Sequence, residues 1–221
     1  MLAIGAPARE EKVAKEPGKS VILDAAEKVF ALKGFDGSSM RMIAGEAEVA
    51  QALIHYHFDT KEKLFEDVVA RRSGAINSAR AKSLEMLQAG DAVSLETLLE
   101  AFFRPNLELG HDTKGGGHYY ARLLATTASA NDERSVALTR KYYDPIARLY
   151  VAAIQDILTD LSDQDAVWGY LFAVGIALTS MSKTGRAAGL SDGKCDDDDI
   201  EEILTRNVTF TAAGLRALGQ G

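Results

Sequence analysis

Ser38-Ser39-Met40-Arg41-Met42-Ile43-Ala44-Gly45-Glu46-Ala47-Glu48-Val49-Ala50-Gln51-Ala52-Leu53-Ile54-His55-Tyr56-His57-Phe58-Asp59-Thr60-Lys61 reads as a short helix, a tight turn, a second short helix and the capped start of a third. Ile43, Ala44 and Ala47 form the inner face of the first helix, and Val49, Leu53 and Ile54 close over them from the second. Gln51, Ala52, His55 and Tyr56 are left pointing outward from a helix about two turns long. Two helices joined by a turn of about three or four residues are the unit that seats its second helix in the DNA major groove. The remaining residues then serve to present this stretch twice, at a controlled spacing.

Outward from that stretch, the composition is that of a folded globular chain. The 221 residues are enough for one large or two modest domains, and 47% hydrophobic with 26% charged residues sits near globular averages. Few prolines and abundant Ala, Leu, Glu and Lys favour helix. The longest nearly uncharged apolar run, Ala166 to Leu178, falls short of the roughly 20 residues of a membrane span, so no membrane association is expected. The start, Met1 to Pro7 followed by Arg9-Glu10-Glu11-Lys12, makes a poor signal peptide. A single Cys195 cannot form an intrachain disulfide, which fits the reducing cytoplasm expected as its location. The net charge of −7 gives no electrostatic footprint of nucleic-acid binding, so that reading rests on the motif alone.

Residues 1–17 are polar, carry Pro7 and Pro17, and read as a disordered arm whose Arg9, Lys12 and Lys15, with Lys19 just beyond, are mainly solvated. From Ser20 the pattern is helical, with Ile22, Ala25, Ala26, Val29 and Phe30 at i, i+3, i+4, i+7 and i+8. Gly34 closes that helix in a left-handed conformation, Phe35 packs back after it, and Ser39 caps the next helix. Asp59 or Thr60 caps the one after, Asp59 forming a capping box with Glu62. A long helix then runs toward Gly90 without a flexible linker, across a soft boundary placed near residues 66–70. Leu95, Leu98, Leu99, Phe102 and Phe103 mark another helix, which Pro105 kinks or ends. Residues 110–117 read as a loop, a helix begins at His118, and Asp132 to Leu161 is helical with an interruption at Asp144-Pro145, as a cap and first-turn pair or a kink. Val167, Tyr170, Leu171, Val174, Leu178 and Met181 give a helix apolar on nearly all sides, and Ile200 to Leu218 forms the last stripe. No strand alternation or repeat is found. The expected fold is all-α, with about nine or ten helices.

Between Ser20 and Phe65 the sequence resembles the DNA-binding domain of the tetracycline-repressor (TetR) family. The likeness is carried by Ile22, Ala25-Ala26, Phe30, Gly34-Phe35, Ser39, Ile43-Ala44, Val49, Tyr56-His57-Phe58 and Lys61-Glu62-x-Leu64-Phe65, in one register. It implies an N-terminal three-helix module over residues 18–66 and a larger helical ligand-binding and dimerisation domain over residues 67–221. It further implies that Arg41, Gln51, Ala52 and Tyr56 face base edges, and that Ser39, His55, His57, Thr60 and Lys61 serve phosphates. The chemistry agrees: Arg pairs with guanine, Gln with adenine, and Ala52 meets a thymine methyl. Lys61 adds its charge to free N–H groups at a helix N-terminus. Two departures stand out. Glu48 occupies a turn position that favours positive φ and usually holds Gly in the family, at a cost of about 1 kcal/mol. His55 stands where the family commonly has Tyr, and its ring N–H is the hydrogen-bond donor at that position.

Other constellations have duller readings. His55 and His57, at i and i+2, lie on different sides of a helix and are poor joint metal ligands. Asp196 to Asp199 with Glu201 and Glu202 resembles a hard-cation cluster but is better read as acids at a helix start. Gly115-Gly116-Gly117 lacks the Lys-Ser/Thr and preceding strand of a phosphate loop. No nucleophile–base pair, metal set or cofactor loop is found, so neither an enzyme nor a cofactor is expected. Phe102, Phe103, Tyr119, Tyr142, Tyr143, Tyr150 and Trp168 are candidates to line an apolar cavity, with His118, Arg122 or Asn106 orienting a ligand. The expected pocket set is Phe103, His118, Tyr119, Arg122 and Tyr143.

The last two helices carry more apolar surface than one domain buries, which points to a homodimer through them. The reading is thus a dimeric regulator, a repressor, whose two recognition helices lie about 34 Å apart or one further turn and read a pseudo-palindromic double-stranded operator. A small apolar or amphipathic effector releases it. The rival is an all-helical ligand-binding or adaptor protein with a decayed DNA head, favoured by Glu48, His55 and the acidic balance.

Overall fold

The computed structural model describes residues 18–90 and 93–220. The expected arm over residues 1–17 lies outside them. Among the described residues there are eleven helices and no strand. Helices α1 (Lys19–Lys33), α2 (Met40–Glu46) and α3 (Gln51–Phe58) form the head, and α4 (Lys61–Gln88) runs from it into the body without a break. The body comprises α5 (Leu95–His111), α6 (Gly117–Ala128), α7 (Glu133–Tyr142), α8 (Asp144–Ile157), α9 (Asp163–Met181), α10 (Arg186–Leu190) and α11 (Ile200–Leu218). No helix among the described residues is long and apolar enough to cross a membrane.

Short polar side chains set most of the starts. Ser39, Thr60, Ser94, Asp132, Ser162 and Asp199 each accept a backbone N–H two or three positions into the next helix. Asp199 with Glu201 and Glu202 therefore does what acids at a helix start do, and no group of metal-ligating side chains forms among the described residues. The expected Asp59–Glu62 box is absent. Thr60 is the cap, and Asp59 instead takes φ 41° between α3 and α4.

Several other expectations are corrected. Gly34 does have positive φ (71°), but its ψ of 172° is extended rather than left-handed helical. Phe35 still folds back and stacks on Phe30 at 6.0 Å. Pro105 does not end α5, which continues to His111, so the loop before α6 is shorter than the glycines suggested. Asp144-Pro145 is no kink: Tyr143 is the cap, and α8 starts at Asp144 as a separate helix. The eleventh helix is α10, five residues too short to show an apolar period.

Two apolar clusters fill the interior. The head cluster joins Ile22, Phe30, Ile43, Ile54, Phe58, Leu64 and Phe65, with Phe30 edge-on to Phe65 at 4.9 Å. It does not stop at the soft boundary near residues 66–70, because Val69, Tyr120, Leu123 and Leu138 of α4, α6 and α7 pack into it. The second cluster centres on α5, which lies against α4, α6, α8, α9 and α11. Helices α9 and α11 approach closely at Gly169, where an added Cβ would stand 2.2 Å from Leu215 Cδ2.

A buried ion cluster ties head to body. Glu27 of α1 is 1% exposed and accepts from Arg71 Nη2 (2.9 Å), Arg72 Nε (2.7 Å) and Arg72 Nη2 (2.7 Å). Arg72 Nη2 also reaches the carbonyl of Gly115 in the α5–α6 connection, at 2.7 Å.

Candidate functional site

The turn between α2 and α3 determines how the outward face is presented. Val49 N–H donates to Ala44 O (3.0 Å) and Glu48 N–H to Gly45 O (3.3 Å), the paired bonds of a Schellman C-cap. That geometry requires positive φ after the cap, and Glu48 adopts φ 55° without being glycine. With the turn closed, Ile54 and Phe58 of α3 are buried against α1 and α2, while Gln51, Ala52, His55 and Tyr56 are exposed. Tyr56, 81% exposed, is the most prominent group on this face.

His55 is built into the face rather than free upon it. Its Nε2 lies 3.3 Å from Gln51 Nε2 and its Nδ1 3.4 Å from the carbonyl oxygen of Asp59. With Nδ1–H donating to that carbonyl, Nε2 accepts from the Gln51 amide. Gln51 then keeps one N–H and its Oε1, the pair that matches an adenine edge. Arg41 is exposed at the start of α2. Ser39 and Thr60 use a lone pair on their caps, which leaves each O–H available to a phosphate oxygen. His57 is half-buried, with its ring 5.1 Å from Tyr56 and 6.1 Å from Phe58.

Lys61 is placed differently from the expected phosphate anchor. Its Nζ donates to the carbonyls of Phe35 (2.9 Å) and Ser38 (3.1 Å) and stands 4.1 Å from the Phe35 ring centroid. The ammonium thus closes the α1–α2 connector from within, joining Ser38 N–H and Oγ–H on the Phe35 carbonyl and supplying the partner of the Ser38 carbonyl. Lys19, Lys28 and Lys63 are likewise paired, with Asp67, Glu46 and Asp67. Only the backbone N–H groups at the start of α4 retain the anion-binding character expected there.

A cavity of about 450 Å³ lies in the body, walled by α4 to α9, within the usual size range of small-molecule sites. Its walls are largely apolar, with Leu123, Leu138, Val151, Leu171 and Val174 among them, and Arg80, Asn106, Tyr143 and Tyr170 supply polar groups. Tyr120 and Tyr143 share a short hydrogen bond between their hydroxyls. Burial pushes Tyr143 and Tyr150 up to about 12 and Tyr120 well above the ordinary tyrosine value, so all three remain neutral phenols.

Of the expected pocket residues, Tyr143 alone lines this cavity. Phe103 is sealed in the α5 core, because its neighbour Phe102 takes the cavity-facing side of the helix. Tyr119 lines a polar groove beside Glu27 and Arg72 instead, with His118 against it at 4.0 Å. Arg122 points to solvent. Of the other aromatics considered, Tyr142 donates to Glu66 and Trp168 is exposed on the surface of α9. Arg80 and Tyr170 were missed as polar groups of the site. For Arg80 the signal was legible: it interrupts the apolar stripe Ile76–Arg80–Leu84 at i+4 spacing.

An exposed reading helix locked by its inner face, on a body that holds a partly open cavity, defines the class of helix-turn-helix regulators. Residues 22–68 match the family model for bacterial regulatory proteins of the tetR family, and residues 100–214 match the tetracyclin repressor-like C-terminal domain. The chain belongs to the TetR family. It is 41% identical over 61 residues to the HTH-type transcriptional repressor NicS of Pseudomonas putida, covering 28% of this chain and 29% of that one. It is 37% identical over 51 residues to the biofilm operon negative regulator IcaR of Staphylococcus aureus, covering 23% and 27%. The chain therefore spans less than a third of the length of these relatives. A solved TetR-like regulator from Rhodococcus shares the fold, with a TM-score of 0.62 at 21% identity over 89% of this chain and 96% of that one.

Proposed function

We propose that the protein is a homodimeric transcriptional repressor that binds a pseudo-palindromic operator and is released by a small ligand held in the body cavity. The observation that carries the reading is the α3 face. Gln51, Ala52, His55 and Tyr56 are exposed on a helix whose opposite side is buried, and that helix is joined through α4 to the cavity wall. Arg41, Gln51, Ala52 and Tyr56 serve base edges in this reading, while Ser39, Thr60 and the α4 N-terminus serve phosphates.

Pairing with a second copy accounts for the outer faces of α9 and α11, where Trp168, Leu171, Phe172 and Phe210 are all exposed. Phe210 alone keeps 74% of its surface in the isolated chain. An isologous pairing about a two-fold axis covers both helices and presents two reading heads.

Release works as a population shift, which needs a ligand with different affinity for the two head arrangements. Val69, Tyr120, Leu123 and Leu138 line the cavity and also belong to the head's apolar cluster, so an occupant presses on side chains that seat the head. The experiment is an electrophoretic mobility shift with purified protein and DNA from around its own gene, at several salt concentrations. Sequence-selective, salt-sensitive retardation is the expected result. Retardation of no fragment refutes the repressor reading in favour of a ligand-binding protein with a decayed head, which the inward-turned Lys61 favours.

A further inference from the structure

Arg80 stands in α4 with 4% of its surface exposed. Its Nε and Nη2 both donate to the carbonyl of Phe102, at 3.1 and 2.9 Å, in the turn of α5 that precedes Pro105. The guanidinium carbon lies 4.0 Å from the centroid of the Phe102 ring. Among the described residues no carboxylate pairs with it, and burial works against its charge. Nη1 donates to nothing among the described residues, and Arg80 is part of the cavity lining. A buried charge is normally paired, and an arginine cannot escape by losing its proton.

Two further groups in the same cavity lack partners. Asn106 is 4% exposed and lines the same cavity; its Oδ1, an acceptor, is sealed without a hydrogen bond, so only its Nδ2–H groups can serve a carboxylate. The Tyr170 hydroxyl has no partner among the described residues, and its ring sits 5.5 Å from the Phe102 ring that also carries Arg80. Much of the remaining lining is apolar, through Leu123, Leu138, Val151 and Val174. The other charged residues on the lining are Asp144, half-buried, and Arg148, exposed.

We infer that the cavity takes an amphipathic monocarboxylate, its carboxylate held by the free edge of Arg80 with Asn106 and Tyr170 beside it, and its apolar body along the far wall. The inference rests on the reading of this cavity as the effector site and names the chemistry of the effector. A carboxylate matches one guanidinium in charge and in its planar two-oxygen geometry. A phosphate monoester brings a second negative charge that the corner does not compensate, and a neutral amphipath leaves Arg80 unpaired.

The test is isothermal calorimetry on the full chain without DNA, with two acids and their isosteric amides: decanoate against decanamide, and 2-naphthoate against 2-naphthamide. At least one acid is expected to bind ten-fold or more tightly than its amide. Arg80→Met should bring that ratio to within about two-fold, and Arg80→Lys should retain part of it. Equal binding of acid and amide overturns the inference, as does an acid preference that persists in Arg80→Met or the failure of both acids to bind. If Arg80→Met does not fold, the acid-to-amide ratio of the unaltered chain decides alone. Operator release is measured separately. An acid that binds through Arg80 but leaves operator affinity unchanged refutes the switch and not the site. An amide that binds equally and releases DNA refutes the carboxylate and not the switch.

Discussion

Replacing Glu27 by Gln tests whether the head is held to the body by the buried ion cluster. The carboxylate is 1% exposed and accepts three hydrogen bonds from Arg71 and Arg72, whose side chains are 28% and 16% exposed. Glutamine preserves the shape but removes the charge and turns an amide N–H toward a guanidinium. Breaking a buried pair by removing one partner costs about 3–5 kcal/mol. The low end applies, because Arg71 keeps Asp24 at 2.6 Å and Arg72 keeps the Gly115 carbonyl at 2.7 Å. For a chain of this size about 3 kcal/mol lowers the melting temperature by roughly 6–12 °C, which differential scanning calorimetry resolves. Glu27→Leu combined with Arg72→Met removes both members of the main pair and should recover most of the loss, since apolar replacement of a whole pair is near neutral. A Glu27→Gln protein that melts within about 2 °C of the parent refutes the assignment.

Three further outcomes follow from the geometry. Glu48→Gly should stabilise the head by about 1 kcal/mol, raising the melting temperature by roughly 2–4 °C, because the residue holds φ 55° in a turn that glycine adopts freely; an unchanged or lower melting temperature shows that the turn is not strained. Lys61→Met should cost about 1–3 kcal/mol by freeing the carbonyl of Ser38, while that of Phe35 still accepts from Ser38, and should leave the slope of operator affinity against salt unchanged; a slope flatter by about 1.8, one phosphate for each head of the dimer, with full stability restores the phosphate-anchor role. Tyr143 and Tyr150, both raised to about 12, bind their protons more tightly folded than unfolded. Stability is therefore complete below about pH 10, the ordinary tyrosine value, and falls as pH rises from there toward 12. The loss is about 1.4 kcal/mol per pH unit for each tyrosine. Urea midpoints at pH 9, 10 and 11 measure it, and Tyr143→Phe should reduce the slope.

All helices but α10, the Ser39 and Thr60 caps and the exposed face of α3 were legible in the chain because they depend on near neighbours. Ser39 as a cap, the inner face of Ile43, Ala44 and Ile54 and the outward set on α3 follow from spacings of a few residues, and the positive φ at Glu48 from the family resemblance of the turn. The same locality explains the failures at Pro105 and Gly110: a proline inside a packed helix and a glycine at a close helix contact have the same local signature as a break. An added Cβ at Gly110 would stand 2.3 Å from the Met181 carbonyl, so this glycine serves α5–α9 packing rather than a loop.

Tertiary structure alone decided which of several equivalent residues meet. Phe102 and Phe103 are both aromatic and adjacent, but a helix turns about 100° per residue, and only the azimuth of α5 in the bundle selects Phe102 for the cavity. Arg80, Asn106 and Tyr170 lie on three helices and come together only when those helices pack. Lys61 carried the charge expected of a phosphate anchor, yet its long stem reaches the Phe35 and Ser38 carbonyls of the α1–α2 connector. The sequence by itself determined what each helix is and which residues the reading head exposes, through short-range periodicity and capping. The packing of α4 to α9 decided where the buried charges lie and what the cavity can bind, because those contacts join residues far apart in the chain.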